Sequence, residues 1–456
     1  MVVPEGSNFY ALGGLYITST TDLIFEINGN LTAVADFAAW PLQPRMAGST
    51  ASPSAGGSAG EYAHFIEFHN NSGLTVTGNG VVDGFGVPWW ERYVIGECGI
   101  NILKNKPTYC PNRPKLFMIS NSDHLLVESI TLMNSPSFNL QLNQVAFAEV
   151  RYVSINTDIV TSRLLKAKLR KAKLAAMAAS AAGDGAGDDG SSSGAAARSP
   201  QPVQGFAHGL QPEDLNTDGI DSSGHDVWIH HCSIYNDDDS IAVKPSHSQD
   251  YQGPCSENML IEDTILSGFG ASIGSVPPNP NHNCVRNITF KNITMPRTGK
   301  GVYVKSNPHC EPGSTGEITN IVYEDVSIVK PEWWPIWIGP QQQQEPGSAK
   351  EYSSDCSLEY PIVKRCPTQG CVTFTNITMR NIHITAPWFS PGVILGNKTN
   401  PMQGIVFDNV TFDFEGAESG LFPFGRNYQC AYAFGASIGS TPDIGQSKNS
   451  NGCHFN

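Results

Sequence analysis

Three carboxylates stand out in the stretch from Asn216 to Lys244, NTDGIDSSGHDVWIHHCSIYNDDDSIAVK. Asp218 closes an Asn-Thr-Asp triplet, and Asp238 and Asp239 close the run Asp237-Asp238-Asp239. Between them, Val227 to Ile234 reads as one short buried strand. In a coil of stacked strands, Asp218 then falls on one rung and the Asp pair on the next. Rungs stack at about 4.8 Å, so the three carboxylates converge on one patch. Such a patch suits hydrolysis of a glycosidic bond. One carboxyl must be protonated to give a proton to the leaving oxygen, and another must be ionised to activate water or attack the sugar. Crowded carboxylates do not all ionise easily, so one is pushed up into the acid role. An acidic run alone also fits a solvated turn or a calcium loop. The spacing from Asn-Thr-Asp through one apolar rung favours hydrolysis.

The elements that would position these residues recur along the chain. LLVESITL from Leu125, VRYVSI from Val150, VWIHHCSI from Val227, MLIEDTIL from Met259, ITFKNITM from Ile288, IVYEDVSI from Ile321, ITMRNIHI from Ile377 and IVFDNVTF from Ile405 share one pattern. Each alternates apolar residues, turns at a polar pair, and alternates again. Apart from two longer gaps the repeat is roughly 23–33 residues, which suits the rungs of a solenoid. The runs are too short and too regularly alternating for helices. Earlier strands are expected at Leu15–Thr18, Leu23–Ile27 and Leu31–Val34. An antiparallel sandwich is the competing architecture, and the recurring bend pair argues against it. The expected fold is therefore all-β: a single right-handed parallel β-helix over residues 1–456.

Composition agrees. With 45 glycines, 31 prolines and only 15% charged residues, nothing suggests a helical bundle or a dinucleotide-binding sheet. The formal net charge of −14 argues against nucleic acid or an anionic membrane surface as partner. No apolar stretch is long enough to span a membrane. The first long gap holds RLLKAKLRKAKLAAMAA from Arg163 and a Gly/Ala/Asp/Ser-rich run from Gly183 to Ser199. Residues 160–208 are read as a basic, low-complexity insertion, expected to be disordered, entering just before the acidic trio. A basic amphipathic helix for a membrane or an acidic partner is the alternative.

As a set, these motifs resemble the polygalacturonases, the pectin-cleaving glycoside hydrolases of family twenty-eight. NTDGI, a strand, then DDxIAVK carries the likeness at the site. Gly78 to Gly86 with Trp89-Trp90 resembles the family's early rung. Arg113-Pro114-Lys115, Asn134 to Phe138, Gly268 to Ser275 and Gly301 to Lys305 also fit. The likeness covers about Ile17 to Phe412. It implies an inverting mechanism in which Asp238 is the general acid, Asp218 and Asp239 hold and activate water, Asn216 orients the cluster, and Lys305 binds a substrate carboxylate. No cofactor and no metal is expected.

Three positions depart from the family. Phe269 stands for a histidine, Tyr303 for an arginine, and about Gln342 for a tyrosine. Losing the arginine removes a bidentate carboxylate clamp that lysine does not replace. Phe269 and Tyr303 instead offer stacking faces to a sugar. The expected substrate is thus a less charged or branched pectic chain. Two other classes compete: a weak or inactive carbohydrate-binding wall protein on the same scaffold, and a β-helical lyase using Lys305 as base. His225, His230 and His231 invite a zinc reading, but their spacing matches no zinc site, and adjacent strand residues His230 and His231 are expected on opposite faces.

Eleven cysteines and seven N-x-Ser/Thr sequons (Asn30, Asn70, Asn287, Asn292, Asn376, Asn397, Asn409) lean towards a secretory, oxidising route, although the Asn-Ile-Thr triplets also suit rung turns. The start, Met1-Val2-Val3-Pro4, shows no signal peptide, so a truncated or mature N-terminus is expected, with an extracellular or wall-bound monomer. Cys255 and Cys284 occupy one register of successive rungs, about 5 Å apart at Cα, and should pair. Cys98 with Cys110 and Cys430 with Cys453 are candidate pairs. Cys356, Cys366 and Cys371 pin a loop, and Cys232 stays free inside a rung.

Overall fold

The computed structural model describes residues 1–42, 62–94, 99–101, 106–108, 113–157, 216–245, 255–342, 356, 360–361, 364, 366–417 and 421–456. The 160–208 insertion and the Cys98–Cys110 pairing fall outside them. Among the described residues, twenty-nine strands join in one set of parallel ladders. Each rung hydrogen-bonds to the rung before and after it, as Ile241–Val243 does to Ile220–Ser222 on one side and to Ala271–Ile273 on the other. Three ladders run the length of the coil. The one that matters for function passes through Ile66–His69, Phe117–Ser120, the starts of Leu140–Arg151 and Ile220–His230, then Ile241–Val243, Ala271–Val276, Val302–Ser306 and Ile336–Pro340.

The polar pairs mark the corners. Asn287 and Asn292, Asn320 and Asp325, Asn376 and Asn381 all adopt φ between 51° and 56°. Asn and Asp tolerate this left-handed region because their short polar side chains bond locally. Here they bond along the coil: Asn376 donates to Asn320 at 3.1 Å, Asn320 to Asn287 at 3.1 Å, and Asn381 to Asp325 at 3.0 Å. Inward residues alternate with outward ones, so Ile288, Phe290, Ile293 and Met295 stack on Ile321, Tyr323, Val326 and Ile328 in one continuous apolar core. Fully burying such a side chain contributes about 1.5–3 kcal/mol. The Phe290 and Tyr323 rings lie parallel, 4.9 Å apart.

Two local expectations change. Trp89 and Trp90 sit on a helix, Val87–Val94, with Pro88 in its first turn and Arg92 in its last. Trp89 packs edge-on against Phe37, Trp40 and Tyr62, and Trp90 donates to the Ser135 carbonyl at 3.0 Å. His230 and His231 do not diverge: their Nδ1 atoms lie 2.7 Å apart. The reason is that His231 occupies a corner, at φ 54°, where strand alternation stops.

Cys255 pairs with Cys284 at a Cα separation of 4.8 Å, and Cys430 with Cys453. Cys356 joins Cys366, while Cys371 joins Cys310, a partner the sequence did not suggest. Cys232 is free and buried, and burial pushes its thiol up to about 12.

Candidate active site

The acidic trio assembles where two turns meet one strand ladder. Ile220 and Ile241 are register partners pointing inward, and Asp218 and Asp239 precede them on adjacent rungs. Backbone bonds lock the two turns together: Gly219 N–H donates to the Asp239 carbonyl at 2.9 Å, and Ile220 N–H to the Ser240 carbonyl at 2.9 Å. The approach leaves no space for a side chain at 219, where a Cβ would meet the Ser240 carbonyl at 2.3 Å.

Two buried asparagines hold the turns. The Asn236 amide donates to the carbonyls of Thr217, Asp238 and Asp239 at 2.8–3.0 Å. Ser240 in turn donates to the Asn236 side chain at 3.0 Å. Asn139, one rung earlier, donates to the Thr217 and Asp218 carbonyls. Asp239 N–H donates to Asp238 Oδ1 at 2.6 Å, and Phe269 N–H caps the Asp238 carbonyl at 2.7 Å. The last contact needs the left-handed Gly268 (φ 70°), where a Cβ would meet that same carbonyl at 2.4 Å.

The result is a compact cluster. Carboxylate oxygens of Asp218, Asp238 and Asp239 lie within 4.8 Å of one another, and all three residues are buried. Asp239 accepts from Lys305 Nζ at 2.6 Å and from Ser272 Oγ at 2.7 Å. Lys244 Nζ lies 3.6 Å from Asp218, 3.4 Å from Asp221 and 3.7 Å from Asp239. These contacts divide the charge. Burial pushes Asp239 up, but Lys305 and Lys244 outweigh it and hold the carboxyl below its usual range. Burial and the neighbouring Asp221 push Asp218 well up, and burial also raises Asp221. Burial opposes the charge on Lys244, yet Asp221, Asp218 and Asp239 raise it above the usual lysine range.

Each sequence-predicted residue can now be placed. Asp218, Asp238 and Asp239 are brought together, and Asn216 enters the trio's turn at φ 53°. Lys305 lies on the trio, paired to Asp239. Phe269 and Tyr303 lie beyond it: Tyr303 follows Ser272 in the outward row of the ladder, and Trp337 follows Tyr303. Gln342 donates its N–H to the Tyr303 hydroxyl at 3.1 Å. Sequence reasoning missed Asp221 and Lys244. Period-two alternation was the available signal, because Asp221 and Ala242 are register partners facing outward and Lys244 is two residues further along. It also missed the supports Asn139, Asn236 and Ser272, for which no local signal exists. On the other side of the trio the ladder presents Gln141, Lys115, which bonds to Gln141, and Phe138, whose ring lies 5.2 Å from Lys115 Nζ.

A family model described as Glycosyl hydrolases family 28 matches residues 3–159 and 207–421. The chain is 25% identical over 352 residues to a polygalacturonase of Chamaecyparis obtusa, covering 76% of this chain and 51% of that one. It is 25% identical over 405 residues to a polygalacturonase of Prunus persica (87% and 76% covered) and 24% identical over 334 residues to endo-xylogalacturonan hydrolase A of Aspergillus tubingensis (72% and 60%). The chain thus spans about half the length of the Chamaecyparis relative. Among solved structures it is similar to the polygalacturonase from Erwinia carotovora ssp. carotovora, with a TM-score of 0.54 at 18% identity over 93% of this chain and 87% of that one. The endo-xylogalacturonan hydrolase from Aspergillus tubingensis gives 0.51 at 17% identity over 100% and 91%. At that identity the likeness speaks to the fold, a right-handed parallel β-helix.

Proposed function

Because the chain belongs to the glycosyl hydrolases family 28, we propose that it hydrolyses α-linked, galacturonan-type pectic polysaccharide. The observation that carries this reading is the buried trio within 4.8 Å, one member of which is held ionised by Lys305. Asp239 acts as base: it takes a proton from a water whose oxygen attacks the anomeric carbon. Asp238 gives its proton to the glycosidic oxygen as the C–O bond breaks, so charge and protons balance within the pair. Asp218, pushed towards its protonated form, hydrogen-bonds the water and fixes its line of attack. Asn216 and Lys305 organise the cluster, while Phe269 and Tyr303 shape the neighbouring subsite.

We infer an extracellular or wall-associated monomer. Four disulfides among the described residues fit an oxidising compartment, and none of the described helices is long and apolar enough to cross a membrane. The test is release of reducing ends from polygalacturonan, rhamnogalacturonan and xylogalacturonan by the parent and by Asp238→Asn. Activity on one polymer that the substitution lowers by about 10²–10⁴-fold is the expected result. Binding without cleavage of any of the three would overturn it in favour of a carbohydrate-binding scaffold. An unsaturated, ultraviolet-absorbing product end would mark a lyase.

A further inference from the structure

Two rows of left-handed corners run along the coil. In its later rungs they are filled by Asn258, Asn287, Asn320 and Asn376 in one row, and by Asp263, Asn292, Asp325 and Asn381 in the other. The rung that starts at Leu140 departs from this in both rows. Phe147 stands in the first at φ 52° and Tyr152 in the second at φ 55°. A bulky side chain in that region is an outlier, and neither residue can join the amide ladder that rewards an asparagine there. Both rings are 54% exposed, so burial does not repay the corner either. An outlier that packing does not explain points to a use at the surface.

A third ring completes the face. Trp228, on the next rung, is 40% exposed and is the register partner of Glu149, which lies between the two corners. All three rings are held in place. Trp228 stacks on His230 at 3.8 Å between centroids, and its Nε1 donates to Glu262 at 2.9 Å. Phe147 sits between His124 at 5.2 Å and His225 at 5.5 Å, and Tyr152 lies 5.1 Å from His231. Five residues of extended strand separate Phe147 from Tyr152, a span of roughly 16 Å. That strand is bonded to a rung on either side, so it offers no open edge to an added peptide strand. Around the rings stand the carboxylates of Glu128, Glu149, Asp226, Glu262 and Asp263; Arg151 pairs with the first two at 2.7 Å. Like charge turns a polyanion away from such a surface, while carboxylate oxygens accept hydrogen bonds from hydroxyls.

We propose that Phe147, Tyr152 and Trp228 form a second carbohydrate site, which binds an uncharged β-1,4-linked glucan or xylan. Such sugars carry their hydroxyls equatorially and present flat C–H faces to the rings, and their hydroxyls donate to the surrounding carboxylates. Leu140–Arg151 and Ile220–His230 carry the trio's ladder at their starts and this face at their ends. Polymer held here therefore tethers the chain without entering the acidic cluster. The site does not depend on cleavage by the trio.

Affinity electrophoresis tests it, with the full chain run through native gels containing hydroxyethylcellulose, soluble xylan or polygalacturonate. The parent is compared with Phe147→Asn/Tyr152→Asn and with Trp228→Thr. At least one neutral polymer should retard the parent, and the double substitution should weaken that binding about 10-fold or more. Its melting midpoint should hold or rise, because asparagine is the residue these corners favour. Binding lost with stability kept is a pattern that a purely structural role for the rings does not produce. Should the double variant not fold, Trp228→Thr is read in the same way. Failure of both neutral polymers to retard the parent, or retardation that the substitutions leave unchanged, would overturn the proposal. So would preferential binding of polylysine, or self-association in sedimentation velocity that the substitutions abolish, since either assigns the face to a protein partner. Release of reducing ends from pectic polymers is scored separately and bears only on the hydrolase reading.

Discussion

Lys305→Met should expose how the site keeps one carboxylate charged. In the folded protein Lys305 Nζ lies 2.6 Å from Asp239 Oδ2, and both side chains are buried. Removing one partner of a buried pair costs about 3–5 kcal/mol, because a charge is left uncompensated. Asp239 would retain the Ser272 hydrogen bond and Lys244 at 3.7 Å, so the lower end, about 3 kcal/mol at pH 7, is expected. The pH dependence carries the diagnosis. Asp239 is held below the usual carboxylate range, so its pairing contributes stability above the unfolded-state pKa of about 3.9 and loses it as pH falls through the folded value. Without Lys305, burial dominates and the carboxyl rises. The variant then relieves its penalty by taking up a proton, and its deficit should shrink between pH 7 and pH 4. Urea unfolding followed by tryptophan fluorescence at several pH values measures this. A deficit that is constant with pH, or below about 1 kcal/mol at pH 7, would refute the assignment of Asp239 as the charged member.

Replacing both Cys255 and Cys284 by serine opens a link across 29 residues. The loop-entropy relation gives a loss of about 3–4 kcal/mol, readable as a lower unfolding midpoint under non-reducing conditions. At Asn320 both substitutions remove two rungs of the asparagine ladder, but glycine accepts φ 55° and alanine does not; Asn320→Ala should be less stable than Asn320→Gly by about 1–2 kcal/mol. Proton NMR of early product should show the anomer inverted relative to the α-linked substrate. The trio is tighter than the separation usual for an inverting pair, so retained configuration would assign Asp239 to nucleophilic attack and overturn the water-activating role.

Much of this architecture was legible because the coil writes itself periodically. A corner such as Lys291-Asn292 or Arg380-Asn381 needs a left-handed residue, an inward position needs an apolar one, and both repeat once per rung. The acidic trio was legible for the same reason, since Asp218 and Asp239 precede partnered isoleucines. What stayed hidden depends on contacts between rungs. The alternation rule failed at His230 and His231 because a corner intervenes. Trp89 and Trp90 looked like rung residues although local Pro88 starts a helix. Asn139 belongs to a turn whose importance appears only when the rungs dock. Cys310 found Cys371 across 61 positions for the same reason.

The contact between Asn139 and Asp218 spans 79 positions, against 33 for the contact between Asp239 and Ser272 on the following rung. Closing a loop about twice as long costs only about 0.6 kcal/mol more, so the seam is thermodynamically cheap. Its kinetic consequence is larger. A solenoid zips from rung to neighbouring rung, and at this seam the zipper must wait for a distant search. The coil up to Asn156 and the coil from Ile220 onward meet at the carboxylates. The site is completed when they dock, so a nascent chain that has made only the first segment carries no assembled acid, base or charged partner.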